Sequence, residues 1–112
     1  MVRIEAIIRP DKFEDVKDAL QRIGVIAMTV DEVHGCGHQA GHVEHYRGLE
    51  THINLLRKIR ITTVVHEINP DDVVEAICTA AYTGEHGDGK IFIMPLLDAI
   101  RIRTRERGGE AV

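Results

Sequence analysis

At 112 residues, with 44% apolar and 29% charged side chains, the chain has the size and composition of one globular domain around a single core. No apolar run reaches membrane-spanning length, and a formal charge of −4 excludes general nucleic-acid binding, which needs a positive footprint. Cys36 in a glycine-rich stretch and Cys78 on a helix imply no disulfide framework, and the chain opens as a strand rather than a signal peptide, so a cytoplasmic protein is expected.

In chain order, Val2 to Arg9 begins with alternating apolar and charged residues, with Ile4, Ala6 and Ile8 on one face, and Pro10 stops it: a strand. Pro10 or Asp11 opens a helix in which Phe13, Val16, Leu20 and Ile23 recur at helical spacing, and Gly24 ends it. A second strand is expected over Ile26 to His34. From Gly35 to Asn54 four glycines and four histidines interrupt any period, so a long irregular connection is expected, of the kind that usually carries function. Leu56 to His66 reads as a long strand, with Ile59, Ile61, Thr63 and Val65 on one face and Lys58, Arg60, Thr62 and Val64 on the other. Asn69-Pro70-Asp71-Asp72 is a helix start, with a capping side chain, a first-turn proline and two acids against the dipole. Val73, Val74, Ile77 and Ala80 or Ala81 supply its buried stripe, and Cys78 reads as a small core residue. Lys90 to Leu97 is a strand. Ala99 to Arg103 is expected as a short closing strand with Arg101 and Arg103 on one face, and the charged, Gly108-Gly109-containing tail reads as disordered.

Between the second helix and the Lys90 strand lies Gly84-Glu85-His86-Gly87-Asp88-Gly89-Lys90. Glycine backbone can approach an anion closely, and the adjacent lysine adds a mobile positive charge. The spacing is GxxxxGK. However, Ile91 replaces the Mg²⁺-binding Ser/Thr of a P-loop, and the following segment is a strand where a P-loop opens a helix. Two readings stay open: a nucleotide or phosphate loop that is not a P-loop, or a helix-to-strand turn whose glycines serve backbone geometry. Lys90, Arg101 and Arg103, with Asp88 beside them, read as a basic set at the loop's end of the sheet, suited to a polyphosphate. His34, Cys36, His38, His42, His45 and His52 are metal-ligand types, but their spacing matches no closed set. No catalytic triad or carboxylate pair stands out, so no enzyme is expected.

A shift of 57 residues superimposes Ile4 to Leu20 on Ile61 to Ile77, pairing Ile4 with Ile61, Asp15 with Asp72, Val16 with Val73 and Ala19 with Ala76. The halves are therefore one βαβ-type unit repeated. The expected fold is α+β: a ferredoxin-like double βαβ sandwich, with a four-stranded antiparallel sheet and two helices on one face. Its other face, a mixture of charged and apolar residues, calls for a covering partner, of which copies of the same chain are the simplest.

Ile4 to Pro10, Met28-Thr29-Val30, Gly35 to Gly41, Tyr46-Arg47-Gly48, Thr83-Gly84, Gly87 to Phe92, Arg101 to Thr104 and Glu106-Arg107-Gly108 together resemble the PII nitrogen-signalling family, in order and register, from residue 1 to about 110. The resemblance implies a homotrimer that binds ATP or ADP between subunits, and 2-oxoglutarate beside Mg²⁺-ATP. It implies a single domain over 1–112, with a target-docking T-loop at about 37–55, a phosphate-binding B-loop at about 82–90 and a C-terminal strand and tail at about 98–112. On this basis Gly87, Asp88, Gly89 and Lys90 surround the phosphates, Arg101 and Arg103 reach in from a neighbouring subunit, and Ile7, Thr29, Gly35 and Val64 line the adenine and ribose pocket. Cys36, Gly37 and His38 belong to the same nucleotide site. Gln39 would help hold Mg²⁺ and 2-oxoglutarate, Lys58 would pair with a 2-oxoglutarate carboxylate, and backbone at Gly37, Gly41 and Gly87 would complete that site. Arg47 matches the residue that plugs an ammonium channel in transporter-binding members. The partners implied are the chain itself and an ammonium transporter or nitrogen-assimilation enzyme, with membrane recruitment through the transporter and no insertion. Positions 36, 38 and 62, often Phe, Arg and Glu in the family, are Cys36, His38 and Thr62. The positions of the family's modified tyrosine and serine are Thr51 and Leu49. A second reading on the same fold is a metal-responsive trimer that uses the histidine-rich loop.

Overall fold

A computed structural model describes residues 1–36, 42–46, 49–53 and 55–112, with the backbone alone over 42–46 and 49–53. The strands are β1 (Val2–Ile8), β2 (Thr29–Gly35), β3 (His42–Tyr46), β4 (Leu49–Ile53), β5 (Leu56–Val65) and β6 (Gly89–Pro95), and the helices α1 (Phe13–Arg22) and α2 (Pro70–Ala81). The main sheet is antiparallel throughout in the order β2-β5-β1-β6. This is the expected ferredoxin-like arrangement, and the internal repeat is visible in its core. Ile4 and Ile61, Val16 and Val73, and Leu20 and Ile77 occupy matching positions in the two halves, and all six are buried. Ala6, Ile8, Ile59, Val65 and Ala81 join them, so one sheet face and the two helices make a single apolar layer.

The helix ends follow from local chemistry. A 3-10 turn over Pro10–Lys12 leads into α1. At its far end Gly24, at φ +95°, donates its N–H to Gln21 O, and Val25 donates to Leu20 O. That pairing is a Schellman motif, which requires left-handed backbone at Gly24 and buries Val25 beneath the last turn. Asn69 caps α2 by accepting the Asp71 N–H at 2.9 Å, ahead of Pro70.

Several expectations are corrected. β2 starts at Thr29 rather than Ile26, because the α1 cap runs through Val25 and Ile26 is exposed. The irregular connection contains an antiparallel pair, β3 with β4, in a separate two-stranded sheet. In that register each face mixes polar and apolar residue types, so the sequence lacks the clean alternation that reveals a strand. Cys78 is exposed on the rim of α2 between the stripe positions Ile77 and Ala81.

Residues 99–103 form no strand. Ile100 makes an isolated bridge to Arg107, and the chain between them turns back through Arg101 N–H to Glu106 O and Arg105 N–H to Arg101 O, with Arg105 at φ +63°. Ile100 and Ile102 are 55% and 95% exposed, so their alternation has no surface of this chain to bury against. The tail is ordered rather than disordered. Asp98 accepts from Ala99 N, Gly108 N and Arg107, and a 3-10 turn follows over Gly108–Ala111. Among the described residues no helix is long and apolar enough to cross a membrane.

The sheet face away from the helices carries Arg3, Glu5 and Ile7 of β1, Lys58, Arg60, Thr62 and Val64 of β5, and Lys90, Phe92 and Met94 of β6. Arg60 grips Asp31 with Nε at 3.1 Å and Nη2 at 2.6 Å, and Arg3 reaches Glu5 at 3.4 Å. Arg3 Nε is buried with no hydrogen-bond partner among the described residues, and Phe92 stays half exposed.

Candidate functional site

The glycine loop is built around one carboxylate. Asp88 Oδ2 accepts the N–H groups of Thr83 at 2.8 Å and Gly84 at 2.9 Å, while Oδ1 accepts the Thr83 hydroxyl and, at 3.0 Å, Arg9 Nε. Arg9 Nη2 also donates to His86 O at 2.8 Å, and Lys58 Nζ donates to Gly87 O at 2.6 Å. Three consecutive residues, 86 to 88, are thus held by two cations from the sheet. Gly84, Gly87 and Gly89 take φ of +89°, +99° and +114°. At Gly89 the chain passes so close to β1 that a Cβ would lie 1.7 Å from Ile7 O, so this glycine is obligatory as well as permissive.

The donors that converge on Asp88 hold its carboxyl well below the usual range, the Thr83 hydroxyl first, then the Thr83 N–H, with Arg9 and the Gly84 N–H adding to it. Burial pushes the Lys58 ammonium pKa down, Arg9 adds to that shift, and Asp88 opposes it. Lys58 is 8% exposed and spends its charge on a carbonyl. Lys90, the last residue of the loop, is exposed and makes no ion pair to another described residue. Arg9, Lys58 and Lys90 therefore gather at one end of the sheet against the bound carboxylate of Asp88 and the exposed Glu85, a balance suited to an added anion. A cavity of about 280 Å³ lies between Asp88, Gly89 and Lys90 and the end of α2, where Val74, Ile77, Cys78 and Ala81 line it; neither Arg9 nor Lys58 does.

Of the site residues expected from sequence, Ile7, Gly35, Cys36, Lys58, Gly87, Asp88, Gly89 and Lys90 lie toward this end. Ile8 pairs with Gly89, Ile7 with Lys90, and Gly35 with Leu56, next to Lys58. Thr29 and Val64 share the same sheet face but sit toward the other end, where Thr29 pairs with Thr62 and Val64 with Arg3. Arg101 and Arg103 do not join the loop of their own chain, which corrects the basic set expected there. The C-terminal segment is fixed at the Val2–Val65 end, where Leu96 N–H donates to Met1 O and Gly109 packs against the His66 ring. That end is about 20 Å of strand away from Gly89. Arg101 instead faces Glu106 at 3.5 Å. Gly37, His38, Gln39, Gly41 and Arg47 lie outside the described residues.

Sequence reasoning missed Arg9 and Thr83. The signal was present in part: a threonine before glycine, five residues ahead of an aspartate, is the local pattern in which a carboxylate collects turn N–H groups. Nothing local marks Arg9, whose partner lies 79 residues away. Because the folded-state pKa of Asp88 falls below its ordinary value of 3.8, its contribution to stability is present above that pH and is lost as pH falls toward the folded pKa. Asp88→Asn is therefore expected to lower the melting temperature at pH 7, with the gap to the parent narrowing below about pH 4. A gap that stayed constant down to pH 3 would show that the charge of Asp88 contributes nothing.

Residues 1–106 match the family described as Nitrogen regulatory protein P-II. Over all 112 residues the chain is 51% identical to a Nitrogen regulatory protein P-II of Nostoc punctiforme and 46% identical to one of Azospirillum brasilense, covering the full length of each. It is also 51% identical to Nitrogen regulatory protein P-II 2 of Methanothermobacter thermautotrophicus, covering 97% of that protein. With a whole-chain match in register and the expected sheet order and helix placement, the chain belongs to the nitrogen regulatory P-II family.

Proposed function

We propose that this protein is a non-enzymatic sensor that binds ATP or ADP and, with Mg²⁺-ATP, 2-oxoglutarate, and signals nitrogen status through its loop at about 37–55. The observation that carries this reading is the loop held from behind. Asp88 and Arg9 fix its backbone, Gly87 and Gly89 keep its surface free of side chains, and Lys58 and Lys90 bring cations to it. The bare-turn alternative accounts for the glycines but not for a buried lysine spent on a loop carbonyl.

The site is divided between copies. One chain carries the phosphate-seeking half at the Gly89 end, while Thr29 and Val64 lie toward the opposite end of the same face, the end at which the segment carrying Arg101 and Arg103 is tied. A closed ring of copies would join the unlike halves and would cover the Arg3–Glu5–Arg60–Asp31 network, the orphaned Arg3 Nε and half-exposed Phe92. The assembly is a homotrimer, as in the family the chain resembles. Its target is an ammonium transporter, reached with Arg47, or a nitrogen-assimilation enzyme, and the protein works in the cytoplasm with recruitment to the membrane through the transporter. His38, in place of the family's arginine at the terminal phosphate, is shorter and lacks the guanidinium fork, a departure that bears on ATP affinity or on the ATP-versus-ADP preference.

Calorimetry with Mg-ATP and Mg-ADP on chelator-treated protein tests the reading. Lys90→Ala is expected to weaken both nucleotides by about 1.5–3 kcal/mol, the loss of a charge-assisted hydrogen bond. Unchanged affinity would return the loop to a mere turn. Light scattering at micromolar protein is expected to give the mass of three chains, and a monomer mass would contradict the divided site.

A further inference from the structure

The segment that carries Arg101 and Arg103 is a closed loop with almost no apolar support. Ile100 and Ile102 are exposed, so packing does not set its shape. Hydrogen bonds set it instead. Arg101 N–H donates to Glu106 O at 2.9 Å, Arg105 N–H to Arg101 O at 2.7 Å, and Gly108 N–H to Ala99 O at 3.0 Å. At the base Asp98 Oδ1 accepts the N–H groups of Ala99 at 2.8 Å and Gly108 at 3.0 Å, while Oδ2 accepts from Arg107, with Nε at 2.9 Å and Nη2 at 2.7 Å. One carboxylate thus joins both ends of the loop. The shape it closes is a specific one: Arg105 stands at φ +63°, alone among the described residues other than glycine in having a positive φ, and such backbone persists where its surroundings over-determine it.

The charges of the loop require such a clasp. Four arginines, Arg101, Arg103, Arg105 and Arg107, alternate against the single acid Glu106, and their mutual repulsion favours an open shape. Asp98 takes up Arg107, Glu106 faces Arg101 at 3.5 Å, and Arg103 and Arg105 make no ion pair to another described residue. We propose that Asp98 is a positioning residue for nucleotide binding: by clasping Arg107 and Gly108 it shuts the base of the loop and holds Arg101 and Arg103 ready for phosphates bound to a neighbouring copy. This role rests on the nucleotide reading above, which gives those two arginines to a neighbour's site. A loop shaped before the ligand arrives is spared the cost of ordering its backbone and two long side chains on binding. Asp98 itself touches no phosphate, since both of its oxygens are occupied within its own chain.

The test is calorimetry of Mg-ATP and Mg-ADP into the full chain and its variants. Asp98→Ala is expected to weaken both nucleotides by about tenfold or more, through the lost preorganisation of the two arginines. Arg107→Gln cuts the clasp from its other side and is expected to cost about as much, with no added loss when combined with Asp98→Ala. In a chain that already carries Arg101→Ala and Arg103→Ala, Asp98→Ala is expected to change nothing further, an outcome that a general structural role would not give. Light scattering and thermal scans check that each variant assembles and folds as the parent does. Unchanged affinity in Asp98→Ala, where Arg101→Ala with Arg103→Ala does lower it, overturns the clasp and leaves the nucleotide reading standing. A loss of the same size in the arginine-free chain also overturns it. Absence of nucleotide binding by the parent chain overturns the nucleotide reading and this role with it.

Discussion

Gly89→Ala is expected to destabilise the protein by about 3 kcal/mol or more, lowering its melting temperature by over about 10 °C for a domain of this size. Two causes add. The residue stands at φ +114°, a backbone that L side chains rarely adopt, and its Cβ would fall 1.7 Å from Ile7 O, where the obstacle is backbone in a central strand and cannot swing aside. Relief requires parting β6 from β1 at the end where the loop is anchored, so anion binding is expected to fall together with stability. Gly108→Ala is the control. Its φ of +67° is also left-handed, but nothing lies within 4 Å of an added Cβ, so about 1–2 kcal/mol of strain is its whole cost. Thermal scans at one protein concentration compare the two, and equal losses would show that the close approach to Ile7 is unimportant.

Lys58→Met is expected to have the largest effect on ligand binding. The ammonium is buried and 2.6 Å from Gly87 O, so it is in place for a carboxylate that arrives at the loop. Methionine keeps the stem and removes the charge. The 2-oxoglutarate affinity measured with Mg-ATP is expected to weaken by about 2–5 kcal/mol, roughly 30-fold to several thousandfold, as when one member of a buried charge pair is deleted. ATP alone, whose phosphates the reading assigns to Lys90 and the glycines, is expected to change far less. If ATP weakened as much as 2-oxoglutarate, Lys58 would be acting through the shape of the loop, by releasing Gly87, rather than through a carboxylate.

What could be read from residues alone was whatever is enforced locally or by the core. The 57-residue repeat predicted the paired core positions because Ile4 and Ile61, or Val16 and Val73, meet the same apolar layer. Gly24 and Asn69-Pro70 announced the helix ends through backbone requirements confined to a few residues. The signal failed where the sequence has no clean alternation, or where an alternation has nothing in its own chain to bury against. β3 and β4 have polar residues on both sides, and Ile100 and Ile102 alternate with arginines yet find nothing in their own chain to cover them. Cys78 was misplaced because a 3.6-residue stripe separates core from rim by a single position. The loop's glycines were legible as a turn of special backbone geometry. The Arg9–Asp88 grip was not, because its members are brought together only by the pairing of β1 with β6. The separation of Arg101 and Arg103 from that loop was equally invisible, since it depends on which end of the sheet receives the C-terminal segment.

The central claim is that 2-oxoglutarate is read together with Mg²⁺-ATP. A Mg²⁺ held by ATP and Gln39, with the acid also paired to Lys58, would tie together the two ends of the loop at about 37–55, and by linkage each ligand tightens the other by the same factor. The decisive measurement is a calorimetric titration of 2-oxoglutarate in the presence of Mg²⁺ with ATP, with ADP and with neither. Binding with ATP and its absence in the other two is the expected result. Equal binding in all three, or none in any, would contradict it.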